Sequence, residues 1–191
     1  DAHPSRLTSV GNRAFTRTSL KEVALPRSVV QIYDEAFAEM HELTSVLLGP
    51  NVAAGQLTYG FIHSPNLVSI EVDSTNPNYA SVDGVLYTKD HSHLVAFPLG
   101  KNVGGSYAVV DGTVTIDEGA FEEAKLESVT FPSTLRHVGS RAFAHSSVTA
   151  LSLPDAFETM GSMAFWYMPR LARLNLGGAR KVPHSAFRYN N

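Results

Sequence analysis

The chain has 191 residues, of which 43% are hydrophobic and 17% charged, and its formal net charge is -3 at pH 7. This balance excludes the basic surface that a nucleic-acid partner needs. The sequence contains no run of about 18 apolar residues, so it does not predict a membrane-spanning helix. The absence of cysteine excludes disulfides, thiolate metal ligands and a cysteine nucleophile.

The dipeptide Ala-Phe recurs along the chain at a regular spacing. Its copies end at Phe15 and Phe37 and, after a gap, at Phe121, Phe143, Phe165 and Phe187. The interval from Phe15 to Phe37 also separates each copy from the next after the gap, and Gly60-Phe61 supplies a degenerate copy at a slightly longer interval. Such a period predicts a solenoid of stacked coils that share one core, with the phenylalanines in a single file.

Each coil contains two readable segments. An aliphatic residue five positions before the phenylalanine leads into a stretch such as Gly139-Ser140-Arg141-Ala142-Phe143. This stretch is too short for an independent helix, so it predicts a turn or a single helical turn. Downstream, the alternation in Val129-Thr130-Phe131 predicts a short strand with one buried face, which Pro132 ends.

The period is absent between about residues 74 and 110. There, residues 85–87 and 94–97 are strand-like, and the polar stretch 88–93 between them has the composition of a turn. We therefore expect an inserted β-hairpin unit that stacks on the solenoid. The predicted organisation is one repeat domain over residues 1–191, with repeats in 7–73 and 111–191 and the insert at about 74–110.

These motifs resemble the BspA-like (Treponema pallidum-type) leucine-rich repeats, whose pattern runs Ile-Gly-x-x-Ala-Phe and then Leu-x-x-Ile-x-Leu-Pro. The pattern is clearest from Val138 to Phe143 and from Leu151 to Pro154. The resemblance implies an α/β leucine-rich-repeat solenoid of about seven repeats, each of about 22–24 residues, with short parallel strands and short helical turns. It also implies an extracellular or bacterial cell-surface protein that adheres to host matrix or receptor proteins, and it carries over no catalytic residue.

The first candidate binding surface is the outward side of the strands, which we expect to be concave. Its predicted partner-binding residues are Leu47, Glu71, Thr130, Ser152, Asn175 and Arg173. Leu47 is the unusual member, because it is an apolar residue where water is expected. The alternative interpretation is that these side chains merely solvate the sheet.

The second candidate surface is aromatic. Trp166 and Tyr167 directly follow a repeat phenylalanine, where other repeats carry mainly small or polar residues, and Tyr189 lies one repeat later at the offset of Tyr167. Exposed together, the three residues would form an anchor of the kind found in binding hot spots. The alternative is that they pack against a further repeat or a cap.

No pattern favours an enzyme or a cofactor. Gly-x-Ser-x-Gly is absent, and the adjacent carboxylates Glu122-Glu123 and Asp117-Glu118 are expected to point apart into solvent. His91 with His93 provides too few ligands for a closed metal site. The predicted function is therefore non-enzymatic protein binding, with self-association as a further expectation. An architectural repeat segment and a carbohydrate-binding module are the alternatives.

Overall fold

Short parallel strands on two sides of a stack enclose the core in the computed structural model, which describes residues 6–55 and 57–190. One side carries mainly three- and four-residue strands, which we call the strand face. These strands are β2 (Glu22–Ala24), β4 (Ser45–Leu48), β5 (Ser69–Val72), β9 (Ser106–Ala108), β11 (Ser128–Thr130), β13 (Ala150–Ser152) and β15 (Arg173–Asn175). The opposite side carries the two-residue strands β1 (Ser9–Val10), β3 (Gln31–Ile32), β10 (Thr115–Ile116), β12 (His137–Val138) and β14 (Thr159–Met160).

The inserted unit adds three antiparallel strands between β5 and β9 along the chain. They are β6 (Tyr79–Val82), β7 (Val85–Thr88) and β8 (His93–Ala96). β8 then pairs in parallel with β10, and β9 pairs in parallel with β11. The predicted hairpin thus stacks on the solenoid, and its last strand continues the sheet of short strands in the order β14-β12-β10-β8-β7-β6.

Phe97, which the sequence pattern places in a strand of the hairpin, is a repeat phenylalanine. Its amide donates to the carbonyl of Ala120 at 2.9 Å, just as the Phe121 amide donates to Ala142 and the Phe143 amide donates to Ala164. Its ring lies 5.2 Å from that of Phe121. The insert therefore supplies a further coil in addition to the seven phenylalanine positions recognised in the sequence.

The predicted stacking of the phenylalanines is present, but in two files rather than one, and the buried hydrophobic residues form two clusters. The Phe121, Phe143 and Phe165 rings are fully buried and stack with centroid distances of 4.9 and 5.5 Å. Phe15, Phe37 and Phe61 form a second file with spacings of 5.4 Å. Each stacked pair contributes about 0.5–1.5 kcal/mol beyond its area burial, so the files hold successive coils at a fixed separation.

The predicted helical turns are wrong: the described ranges contain no helix. The backbone amides from Arg141 to Ser146 alternate between acceptors in their own turn and acceptors in the next coil. In a helix, every one of these amides would donate to a carbonyl of the same segment. Every second amide bonds back three residues, as Ala144 does to Arg141, and the others donate to the next coil, as His145 does to Trp166. Residues with positive φ two positions before and two after the phenylalanine, such as Arg141 (56°) and His145 (58°), produce this alternation and interrupt helical geometry in every repeat turn except that of Phe97.

The positive φ of these positions can be tested at Met163, whose φ is 58°. Replacing Met163 with valine should destabilise the protein by about 1–3 kcal/mol, because a β-branched residue is strained in the left-handed region. Replacing it with glycine should be close to neutral, since glycine adopts this φ without strain. Urea unfolding of both variants checks the difference, and equal losses of stability would contradict it.

Candidate partner-binding site

The strand-face residues predicted from the sequence lie on the outward side of two separate sheets. Leu47 and Glu71 are register partners in the sheet of β2, β4 and β5. The other four lie in the sheet of β9, β11, β13 and β15: Thr130, Ser152, Asn175 and Arg173. The predicted row is therefore divided, because the inserted unit separates the two sheets.

The strand face offers small polar groups and few apolar ones. The Ser106 and Ser128 hydroxyls lie 2.8 Å apart, and the Asn175 side-chain amide donates weakly to Ser152 at 3.5 Å. Leu47 is 43% exposed, but its register partners are Ala24 and Glu71. Leu47 therefore has no large apolar neighbour along its row, and this row does not form a hydrophobic patch.

Trp166, Tyr167 and Tyr189 do come together, and His145 joins them. We call these four residues the aromatic surface. The Trp166 and Tyr167 rings are 6.0 Å apart, and Tyr189 lies 6.1 and 6.5 Å from them. His145 is in edge contact with Trp166 at 4.7 Å and lies 5.1 Å from Tyr167.

The exposure of this surface suits an anchor. Tyr167 and Tyr189 are 47% and 54% exposed, whereas Trp166 is half-buried beneath them. Trp166 is therefore not lost to the interior of its own chain. The surface combines a supported indole with two accessible phenols, which provide a large amphipathic contact area with few rotatable bonds.

The backbone explains why these side chains share one edge. His145, Tyr167 and Tyr189 each lie two residues after a repeat phenylalanine and have φ values of 58°, 51° and 63°. The His145 amide donates to the Trp166 carbonyl and the Tyr167 amide to the Arg188 carbonyl, so the same position recurs from coil to coil. Glycine or asparagine fits a positive φ best, so tyrosine at two consecutive coils opposes local backbone preference.

Two arginines flank the aromatic surface. The Arg141 guanidinium lies 5.5 Å from the Trp166 ring centroid, and the Arg188 guanidinium lies 4.6 Å from that of Tyr189. Arg141 also donates two hydrogen bonds to the Glu122 carboxylate, one of them from Nε at 3.2 Å. Those hydrogen bonds raise the pKa of Arg141 and fix the plane of its guanidinium beside Trp166.

Glu122 corrects the expectation that both acidic residues of this turn point into solvent. Its side chain is 1% exposed, whereas that of Glu123 is 41% exposed and pairs with His63 at 3.0 Å. Arg141 explains the difference, because a bidentate partner makes a buried carboxylate tolerable. Tyr59 lies close to Glu122. The pKa of its phenol is raised to about 12, mainly by burial and secondly by the negative charge of Glu118.

The same edge changes character along the chain. At the position of Tyr167 and Tyr189, the first coils carry Arg17 and Glu39, which form an exposed ion pair at 2.6 Å. Exposed pairs of this kind contribute about 0–1 kcal/mol. The aromatic residues are therefore confined to the later coils rather than required by the repeat.

Sequence reasoning missed His145, Arg141 and Arg188 as parts of this site. His145 could have been found, because it has the same offset from its phenylalanine as Tyr167 and Tyr189. The arginines carried no such signal, since their role depends on ring contacts between coils. His91 and His93 lie elsewhere, and within 6–55 and 57–190 no three histidine or acidic residues are grouped so that they could hold a metal ion.

The family profile described as the BspA type Leucine rich repeat region matches six copies, over residues 2–81 and 106–191. The chain belongs to this family. The unmatched residues 82–105 contain β7, β8 and Phe97, where the BspA-type period is interrupted. A search of curated proteins found no significant match. No helix in the described ranges is long and apolar enough to span a membrane.

Solved structures of bacterial repeat proteins share this BspA-type fold. A leucine-rich repeat protein from Eubacterium ventriosum is 19% identical with a TM-score of 0.70, over 94% of this chain and 60% of that one. The pneumococcal vaccine antigen PcpA is 26% identical with a TM-score of 0.67, over 89% and 54%. A leucine-rich cell surface protein from Faecalibacterium prausnitzii is 18% identical with a TM-score of 0.57, over 97% and 55%. The chain thus spans only between 54% and 60% of the length of these proteins.

Proposed function

We propose that this chain is a non-enzymatic protein-binding module of an extracellular or surface-attached bacterial protein, and that its role is adhesion to host matrix or cell-surface proteins. The observation that carries the proposal is the aromatic surface. A module that only spaces other domains has no need for two exposed tyrosines against a tryptophan, whereas interface cores are enriched in tyrosine, tryptophan and arginine.

The location is supported by PcpA, whose name as a vaccine antigen describes that protein as a target of antibodies. At 26% identity, it extends the similarity beyond the shared fold. The repeat architecture also supports binding, since solenoids present extended surfaces on which one partner can contact several coils.

The ring geometry favours a protein partner over a carbohydrate. The Trp166 and Tyr167 planes are inclined by 51°, and those of Tyr167 and Tyr189 by 61°. A sugar ring stacks best on a flat exposed face, which these inclined rings do not offer together. Rings inclined to one another in this way suit contact with the apolar side chains of a protein partner.

Binding of the purified chain to immobilised fibronectin, laminin and collagen tests the proposal. Replacing Trp166 or Tyr167 with alanine should weaken binding to the recognised protein by about thirtyfold, the loss typical of a hot-spot residue. Tyr33→Ala is the matched control, because Tyr33 is 44% exposed and lies outside the aromatic surface. Equal affinities for all three variants, or no binding to any of these proteins, would contradict the proposal.

Leu47→Glu provides the comparison for the strand face. Because Leu47 lies alone in its row, this substitution should leave the affinity within about threefold of wild type. A loss as large as that of Trp166→Ala would transfer the binding site to the strand face.

A further inference from the structure

The sheet of short strands is interrupted at the third coil. β1 pairs with β3, and β8, β10, β12 and β14 pair with one another, but the intervening residues 53–55, 57 and 58 form no strand. A cavity of about 520 Å³ lies at this interruption, between these residues and strands β6, β7, β8 and β10 of the six-stranded sheet. Its size falls in the range of about 300–1,000 Å³ typical of ligand pockets.

The cavity has an apolar and an acidic part. Leu57, Val95 and Ile116 supply the apolar lining, and Asp117 and Glu118 supply the carboxylates. His93 also lines the cavity and contacts Asp117, with 2.8 Å between its Nδ1 and the Asp117 Oδ1. A ligand with an aliphatic segment and a polar end would match both parts.

The charge of the lining selects the sign of that polar end. Among the described residues around the cavity, two are carboxylates and none is lysine or arginine. Burial raises the pKa of Asp117, although the hydrogen bond from His93 acts in the opposite direction. Burial thus disfavours the charged carboxylate, whose side chain is 33% exposed, and a cation in the cavity would offset the part of its hydration that burial removes.

We propose that this cavity binds a primary alkylammonium group, with the aliphatic stem against Leu57 and Val95 and the ammonium group against Asp117 and Glu118. A lysine side chain of a partner protein and a free aliphatic diamine share this chemistry. The cavity shares no residue with the aromatic surface, and of its lining only Gly139 lies in a coil that contributes to that surface, so this inference does not depend on the proposed adhesion function.

Titration calorimetry with two probes tests the proposal and identifies the source of the ligand. The probes are 1,5-diaminopentane and the peptide acetyl-Gly-Lys-Gly-amide, and the same peptide acetylated at the lysine Nζ is the uncharged comparison. We expect tighter binding of one charged probe and no binding of the acetylated peptide. The preference between diamine and peptide tells a free amine from a lysine side chain.

The double variant Asp117→Asn, Glu118→Gln should raise the dissociation constant about tenfold or more, because hydrogen bonds to charged groups are lost. The matched control is Asp111→Asn, Glu127→Gln, which changes the charge equally at exposed positions outside the cavity. Circular dichroism and thermal melting establish that both proteins are folded. Unchanged binding by the first variant would overturn the proposal.

Nuclear magnetic resonance of the wild-type protein provides a second test, which does not depend on whether the double variant folds. Adding the tighter probe should shift the ¹H–¹⁵N resonances of residues 115–118 and of His93 more than those of the aromatic surface. Absence of heat and of shift changes with both charged probes at millimolar concentration would overturn the proposal, as would equal binding of the acetylated peptide.

Discussion

Replacing Phe143 with alanine should lower the free energy of unfolding by about 3–5 kcal/mol. The Phe143 ring is fully buried and stacked between Phe121 and Phe165, at 4.9 and 5.5 Å. Phe131 also contacts it edge-on at 5.8 Å. Removing the ring therefore leaves a cavity in the middle of the file, and the backbone hydrogen bonds between coils limit how far the neighbours can close it.

Urea unfolding followed by Trp166 fluorescence and by circular dichroism measures this loss. Phe15→Ala is the control, because Phe15 is only partly buried and its one ring contact within residues 6–55 and 57–190 is with Phe37. It should cost clearly less than Phe143→Ala. A loss below about 1 kcal/mol for Phe143→Ala would mean that the file does not hold the coils together.

Replacing Arg141 with alanine should cost about 3 kcal/mol, because it leaves the Glu122 carboxylate buried without its partner. We expect the low end of the range for a broken buried pair, since the Arg141 side chain is 34% exposed whereas that of Glu122 is 1% exposed. Adding Glu122→Gln to Arg141→Ala should recover part of the loss by removing the unpaired charge. Thermal and urea unfolding of the single and double variants measure both effects.

Arg13→Ala is the matched control for Arg141→Ala. Arg13 also lies two residues before a repeat phenylalanine and pairs with Glu35 at 2.7 Å, but the side chains of this pair are 66% and 29% exposed. Its removal should cost less than about 1 kcal/mol. Similar losses for the two arginine variants would show that burial of Glu122 does not decide the outcome.

The repeat and its core could be predicted from the sequence because both depend on a spacing. A phenylalanine that returns at a constant interval must recur on the same side of each coil, and alternation places residues such as Val129 and Leu151 inside. Ala96-Phe97 was a missed instance of the same signal: Phe97 precedes Phe121 by the interval that separates Phe37 from Phe61. Its neighbours in the chain belong to the hairpin, and that local pattern concealed its place in the file.

The remaining features depend on contacts between coils, which a linear pattern does not contain. The burial of Glu122 requires Arg141 from the next coil, and the alternating acceptors of the amides require the carbonyls of a neighbouring coil. The cavity at the third coil results from a strand that is not continued there. The three predicted aromatic residues were recognisable because they follow a repeat phenylalanine by one or two positions where other repeats carry small or polar residues, whereas nothing in the pattern marked the flanking arginines.

The alternating amides have a consequence for how such a chain can change in length. Every second amide of a turn donates to a carbonyl of the following coil. If the chain shifted by one residue, the amides facing those carbonyls would be the ones that bond within their own turn. Gene duplication can therefore add or delete whole repeat units without disturbing the rest, while any other insertion must form a loop outside the ladder. The antiparallel strands β6 and β7 are such an insertion: they lie outside the parallel ladder and pair at the edge of its sheet, next to β8, where the regular stacking is interrupted.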